Sequence, residues 1–315
     1  MTQAAADLHA AETVSAHWGG LATPPRLVHM RENTVFDVTL RTGLRAALRL
    51  HRRGYQSAAR LRSELRWTEA LADAAFPCPW PQRTQAGELF ATAPDGRLAS
   101  VVQWIDGRSL AAAAPGRDTP LHALGGLIAD LHLTSDAVAP GDLDRPTWDA
   151  AAFCDPDRPR WGRFWENPTL SPPERARLQD VRADLALRLA GLRPEPAGLI
   201  HADLLPDNVL VAGPDLFLID FDDGGFGDRR YDLATALIQD FERADFEARA
   251  SALIAGYAAA GGPVAVTPGE ILVFAACRAV ASCGWTTTRL PEGDPRHRAY
   301  AVRALTAVDR LTEMS

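Results

Sequence analysis

Residues 199–234 read LIHADLLPDNVLVAGPDLFLIDFDDGGFGDRRYDLA, eight aspartates, one histidine and one asparagine set among runs apolar enough to be buried. VLVA and LFLID read as two short strands joined by the turn GPD, which makes them a hairpin. The hairpin holds the loop before its first strand close to the end of its second. Asp203 and Asn208 stand in that proline-containing loop and Asp220 ends the second strand, so the three are expected in one site. A carboxylate and an amide oxygen arriving from two sides suit Mg2+, a hard cation that prefers oxygen ligands and keeps several waters. A further carboxylate, free of metal, is what phosphoryl transfer needs to orient and deprotonate an attacking hydroxyl. Asp207, Asp215, Asp223 and Asp228 are read as turn or solvated residues. A single HxD carries little weight; the whole order His-x-Asp-x4-Asn, strand, turn, strand, Asp carries it as one motif.

Working outward, the first hundred residues read as a strand-rich lobe. PRLVHM and VFDVTL are short apolar stretches separated by RENT, and RTG is a hairpin turn before LRAALRLH. SAARLRSELRWTEALADAAF follows as a helix with Leu61, Leu65, Ala70 and Leu71 roughly on one face, ended by FPCPWP. GELFATAP and RLASVVQWI suggest a second hairpin about DGR. Beyond DGRSL the character changes. LHALGGLIADLHLTSD is an amphipathic helix, another runs near 172–191, and from Tyr231 the chain looks helical almost to its end. The division falls near 103–110, giving lobes of 1–105 and 106–315.

The hydrophobic fraction of 47% and the charged fraction of 23% are those of a soluble globular protein. No apolar run approaches bilayer length, and the N-terminus lacks the basic and apolar regions of a signal peptide. Cys78, Cys154, Cys277 and Cys283 show no metal spacing and read as reduced thiols of a cytoplasmic protein. All 33 basic residues are arginine, so any task usual for lysine falls to arginine. Residues 1–105 carry 12 Arg against 9 Asp and Glu, and the rest 21 against 31, so the acidic balance belongs to the second part. Without a basic patch, nucleic acid is not an expected partner, nor is a membrane.

HADLLPDN resembles the His-Gly-Asp, four residues, Asn motif of the aminoglycoside phosphotransferase and choline kinase family. LIDFDD resembles that family's metal-binding Ile-Asp-Phe/Trp motif, and GDRRYDLA the helix start that follows. The resemblance runs from about Val28 to CRAVASCGW. It implies an α+β, bilobal protein-kinase-like fold, with a small antiparallel-sheet N-terminal lobe that binds nucleotide and a large, mostly helical C-terminal lobe for catalysis and the acceptor. It implies Asp203 as catalytic base, Asn208 and Asp220 as Mg2+ ligands, and His201 as a structural brace. Asp222 is a second carboxylate that could face the metal, and Asp232 caps the next helix or ties down the catalytic loop. Arg49 stands where many members carry a nucleotide-contacting lysine, with Glu64 as its helix partner. Arginine can still grip phosphate through charge-assisted, bidentate bonds. No GxGxxG occurs, so phosphate contacts are expected from polar groups of Arg31 to Thr34, Asn33 among them. VVQWIDG falls where the hinge runs, with backbone groups of Gln103, Trp104 and Ile105 facing a purine.

The sequence looks closest to the branch holding type II homoserine kinases, hydroxylysine kinases and stress-response Ser/Thr kinases. It implies transfer of the γ-phosphate of ATP or GTP to a hydroxyl of a small metabolite: an amino alcohol, hydroxy amino acid or amino sugar. Trp148, Trp161, Trp165 and Trp285 could cage a cationic amine or simply pack. A Ser/Thr protein kinase and a non-catalytic nucleotide-binding protein are the alternatives.

Overall fold

A computed structural model describes residues 3–30, 33–113 and 120–313. The chain forms two compact units: residues 1–109 with 137–145 and 210–222, and residues 110–136, 146–209 and 223–315. Two later segments thus belong to the first unit, which a contiguous division after residue 105 does not provide for.

The first unit is built on a five-stranded antiparallel sheet. Its strands are β1 (Arg26–Met30), β2 (Thr34–Thr39), β3 (Arg45–Leu50), β4 (Ala91–Thr92) and β5 (Leu98–Gln103), in the order β1-β2-β3-β5-β4. Strict alternation of buried and partly exposed residues in β2 and β3 gives the sheet a core face of Phe36, Val38, Ala46, Leu48 and Leu50. A helix absent from the sequence reading, α1 (Gln3–Val14), sets Ala10, Ala11 and Val14 against that face. Its Asp7, buried, accepts from Arg97 at 2.6 Å and from Thr34 at 3.1 Å. Helix α2 (Ala58–Asp73), capped by Ser57, places Leu61 and Leu65 in a second cluster with Leu89. The hairpin 209–212 and 215–218 joins the short strand 108–109 as a small three-stranded antiparallel sheet.

The second unit is mostly helical. After a single turn, α3 (Leu110–Ala113), come α4 (Leu121–Val138), α5 (Ala150–Cys154), α6 (Pro172–Gly191), α7 (Arg230–Ala236), α8 (Phe246–Ala259), α9 (Pro268–Arg289) and α10 (Arg296–Glu313). α6 begins where Pro172 follows Ser171, whose N–H is accepted by the Glu174 carboxylate at 2.8 Å. α4 and α8 touch backbone to backbone: a Cβ on Gly125 would lie 2.0 Å from the Leu253 carbonyl, and one on Gly256 1.9 Å from that of His122. Only glycine fits at either position.

α9 is the core of the unit, buried without a break from Ile271 to Gly284. Its composition and its 22 residues would also suffice to cross a membrane, against the expectation that no run approaches that length, but 83% of its apolar window is buried inside the fold. A parallel pair, Thr147–Trp148 with Gly225–Gly227, and an antiparallel one, Gly225–Gly227 with Gly198–Ile200, brace the base of the motif segment.

Candidate active site

In the first unit, the alternation of β3 turns Arg49 away from the apolar core face. Its Nη2 donates to Asp220 Oδ1 and to Asp222 Oδ1, both at 2.7 Å, and its Nη1 lies 3.4 Å from Glu64 Oε1 on α2. The expected Arg49–Glu64 pair is therefore present, but the aspartates hold the guanidinium more tightly. Arg145, which the sequence reading passed over, ties the same loop down. Its Nη2 donates to the carbonyls of Phe221 (2.9 Å) and Asp222 (2.7 Å), and its Nη1 to the carbonyl of Arg60 on α2 (3.2 Å). Between these clamps Asp220 holds φ at +68°, a left-handed conformation that costs a non-glycine residue about 1–2 kcal/mol.

Burial opposes the charge on Arg49, yet Asp222, Asp220 and Glu64 outweigh it and raise its pKa. Burial, then the neighbouring charge of Asp222, pushes the Glu64 carboxyl above the usual range against Arg49 and Arg145. Burial would raise Asp222 as well, but Arg49 and a hydrogen bond from Asn33 help to hold it low. One of two facing buried carboxylates thus keeps a proton while the other stays charged. His51, next along from β3, is pushed down to about 4 by burial and by Arg49, and bonds Ser100 at 2.8 Å.

Asn33 spends its amide nitrogen on Asp222 Oδ2 at 2.6 Å, and its oxygen accepts from the Arg52 N–H at 3.2 Å. It acts on the site through Asp222 rather than by offering its amide outward. Arg31 and Glu32 lie outside the described residues. Two of the three backbone N–H groups expected at the hinge already have partners. The N–H of Gln103 donates to Trp80 and that of Trp104 to Arg45, so neither amide is available to a purine. The Trp104 ring lies under the Arg45 guanidinium, 4.6 Å away.

In the second unit, the loop after Gly198–Ile200 is fixed by Asp232, at the start of α7. Its buried carboxylate accepts from the N–H of His201 (2.9 Å) and of Ala202 (2.7 Å) and meets His132 Nε2 at 3.0 Å. His132 in turn bonds the Tyr257 hydroxyl at 3.0 Å across the close α4–α8 packing. Asp232 thus ties down the loop. Ala202 stands where the resembled motif has glycine and still adopts φ +64°.

Asp203 is held at both carboxylate oxygens. Asn208 Nδ2 donates to its Oδ2 at 2.9 Å and to its backbone carbonyl at 2.9 Å. Arg278 Nη2, from buried α9, donates to its Oδ1 at 2.5 Å. Arg278 was also missed; its signal was a lone arginine in the apolar run of α9. Burial opposes its charge, but Asp203 is foremost in raising its pKa. Its guanidinium lies 4.5 Å from the centre of Trp161, which stands edge-on to Trp148, itself stacked on Tyr231. Trp148, Trp161 and Trp165 are buried, so they pack rather than form an open cage, while Trp285 lies by Tyr300.

The residues present fit Mg2+ in chemical kind. Asp220 offers a carboxylate that is 45% exposed and already faces a cationic group, Arg49. Asn208 spends its amide nitrogen on Asp203, so its oxygen is what it can offer a hard cation.

Homoserine kinase from Mesorhizobium japonicum is 34% identical over 196 residues, 59% of this chain and 56% of that protein. Homoserine kinase from Methylorubrum populi is 32% identical over 229 residues, 70% of this chain and 65% of that protein. The chain thus aligns with less than two thirds of the length of these relatives. The structure of a microcompartment-associated aminopropanol kinase superposes with a TM-score of 0.82 at 25% identity, over 98% of both chains. A choline kinase from Streptococcus pneumoniae gives 0.69 at 15% identity, over 98% and 99%. The fold is therefore the α+β protein-kinase-like one, with a small antiparallel-sheet unit and a larger, mostly helical unit. Residues 25–268 match the model of the phosphotransferase enzyme family, and the chain belongs to that family.

Proposed function

We propose that the protein is a small-molecule kinase, which moves the γ-phosphate of ATP or GTP to a hydroxyl of a small amino alcohol, hydroxy amino acid or amino sugar. The observation that carries this reading is Asp203: a carboxylate held at both oxygens, on a loop whose backbone is pinned by a buried aspartate. Such a group is oriented before substrate arrives, as a base for a positioned hydroxyl must be.

In this reading Asp203 orients the acceptor hydroxyl and takes its proton. Asn208 and Asp220 hold Mg2+, which when bound neutralises phosphate charge. Arg49 steadies the phosphates, kept in place by Glu64 and Asp222, and the Ile105 amide faces the purine. The first unit serves the nucleotide and the second the acceptor. Similarity to homoserine kinases and to an aminopropanol kinase supports a small hydroxylated amine as acceptor.

The test is ADP or GDP release with the magnesium nucleotide against hydroxy amino acids, amino alcohols, aminoglycosides and a generic protein substrate. One acceptor should give turnover that Asp203→Asn abolishes. Turnover of the protein substrate alone would make it a protein kinase, and nucleotide binding without any turnover would remove the catalytic reading.

A further inference from the structure

Two arginines of the first unit hold the segment that carries Asp220, and they hold it differently. Arg49 does so through side chains, its Nη2 donating to Asp220 Oδ1 and Asp222 Oδ1. A cation bound at Asp220 would compete with that bond, because both call on the same carboxylate. Arg145 holds the backbone instead. Its Nη2 donates to two successive carbonyls, Phe221 at 2.9 Å and Asp222 at 2.7 Å, and these bonds take up no carboxylate oxygen. Its Nη1 donates to the Arg60 carbonyl of α2 at 3.2 Å and lies 3.8 Å from Glu64 Oε2. The side chain is 1% exposed, so water does not compete for these bonds. The guanidinium thus joins α2 to the chain immediately after Asp220. Asp220 itself stands at φ +68°, which a residue with a side chain keeps only where its surroundings over-determine it. Phe221 packs edge-on against Trp67 of α2 at 5.2 Å, which fixes where the loop lies but not how its peptide groups are turned. Gln56 Nε2 also reaches the Asp222 carbonyl, at a longer 3.3 Å.

We propose that Arg145 is a positioning residue for Asp220. By fixing the backbone beyond Asp220 it keeps the left-handed turn, and with it the direction of the carboxylate, when that carboxylate serves a metal ion rather than Arg49. The inference rests on the phosphoryl-transfer reading above, in which Asp220 is a metal ligand. The planar fork of a guanidinium meets three carbonyls on two elements at once, a geometry that an ammonium on a flexible stem does not hold. Groups that orient a metal ligand without touching the metal change its affinity by about 10–100-fold when they are replaced.

The experiment titrates Mn2+, which takes the same oxygen ligands as Mg2+ and is visible by electron paramagnetic resonance, into the protein with a non-hydrolysable ATP analogue. Calorimetry measures binding of the analogue without metal, and circular dichroism follows folding. The proteins are the parent, Arg145→Lys, Arg145→Met and Asp220→Ala, the last showing the loss of the ligand itself. Arg97→Met, which breaks the buried pair with Asp7 elsewhere in the same unit, is the control for lost stability alone. Arg145→Lys should weaken Mn2+ binding about tenfold and Arg145→Met towards a hundredfold, while binding of the analogue without metal stays unchanged. Arg97→Met should lower the melting temperature and leave Mn2+ binding as in the parent. Arg145→Lys keeps the charge beside Glu64 and decides the matter if Arg145→Met does not fold. Mn2+ bound by Arg145→Lys as tightly as by the parent overturns this inference and leaves the kinase reading standing. So does a weakening that Arg97→Met reproduces. Mn2+ binding that Asp220→Ala leaves unmoved overturns the role given to Asp220, and the inference with it.

Discussion

Replacing Asp232 with alanine should loosen the loop after Gly198–Ile200 more than any other single change. The carboxylate is fully buried and accepts from two backbone N–H groups, at 2.9 and 2.7 Å, besides meeting His132 at 3.0 Å. Hydrogen bonds to a charged group contribute about 1.5–3 kcal/mol each, and a buried donor left unmet costs about 1–3 kcal/mol. Alanine orphans the N–H groups of His201 and Ala202 together, and leaves His132 with only the Tyr257 hydroxyl. A loss of about 3–5 kcal/mol follows, a large part of a total stability of about 5–15 kcal/mol. Asp232→Asn keeps the shape and one acceptor oxygen, so it should lose about half as much. Urea denaturation followed by circular dichroism measures both. Turnover in the asparagine variant should fall further than its stability, because Asp203 follows directly on the two N–H groups. A loss under about 1 kcal/mol for Asp232→Ala would refute the reasoning, since the loop would then be held by something other than this carboxylate.

Arg49→Met should destabilise by about 3–5 kcal/mol and raise the nucleotide KM, because it strips the counter-charge from Asp222 and Asp220; melting and steady-state kinetics read the two effects. Arg49→Lys should recover part of each, since one ammonium cannot meet three carboxylates in the geometry of a guanidinium. Glu64 has its pKa raised by burial, so the folded state binds a proton that the unfolded state has released, and stability falls as pH rises from about 5 to about 7, by at most about 1.4 kcal/mol per unit. Glu64→Gln should flatten that slope in denaturation curves across this range; an unchanged slope would assign it elsewhere. Ala202→Gly should relieve the left-handed strain, offset in part by the greater entropy of the unfolded chain, for a net stabilisation of up to about 1 kcal/mol in a denaturant melt.

What could be read from the sequence was what local chemistry encodes. Helix α6 was readable because Ser171, Pro172 and Glu174 mark its start within four residues. The hairpin and its flanking Asp203, Asn208 and Asp220 were readable because polar residues stand out against buried strands. α1 was not, because QAAADLHAAETV shows no clear apolar face and is held by Asp7 reaching Arg97, 90 residues away in the chain. Arg145 and Arg278 escaped for the same reason: each acts on a partner about 75 residues away, and nothing near it in sequence says so. That the N–H groups of Gln103 and Trp104 are taken by Trp80 and Arg45 was not readable, because backbone pairing leaves no mark on side-chain identity. Asn33 was read as facing phosphate because a loop asparagine looks alike whether its amide points outward or, as here, inward to Asp222.

The measurement that bears most directly on the central claim is phosphorus NMR of a reaction containing the magnesium nucleotide, the protein and the best hydroxylated amine from the acceptor panel. The account predicts a new phosphomonoester resonance that grows as the γ-phosphate signal declines, and no such resonance with Asp203→Asn at equal protein concentration. A phosphomonoester formed as fast by Asp203→Asn as by the parent would contradict it, because the chemistry would then not run through the carboxylate on which the reading is built.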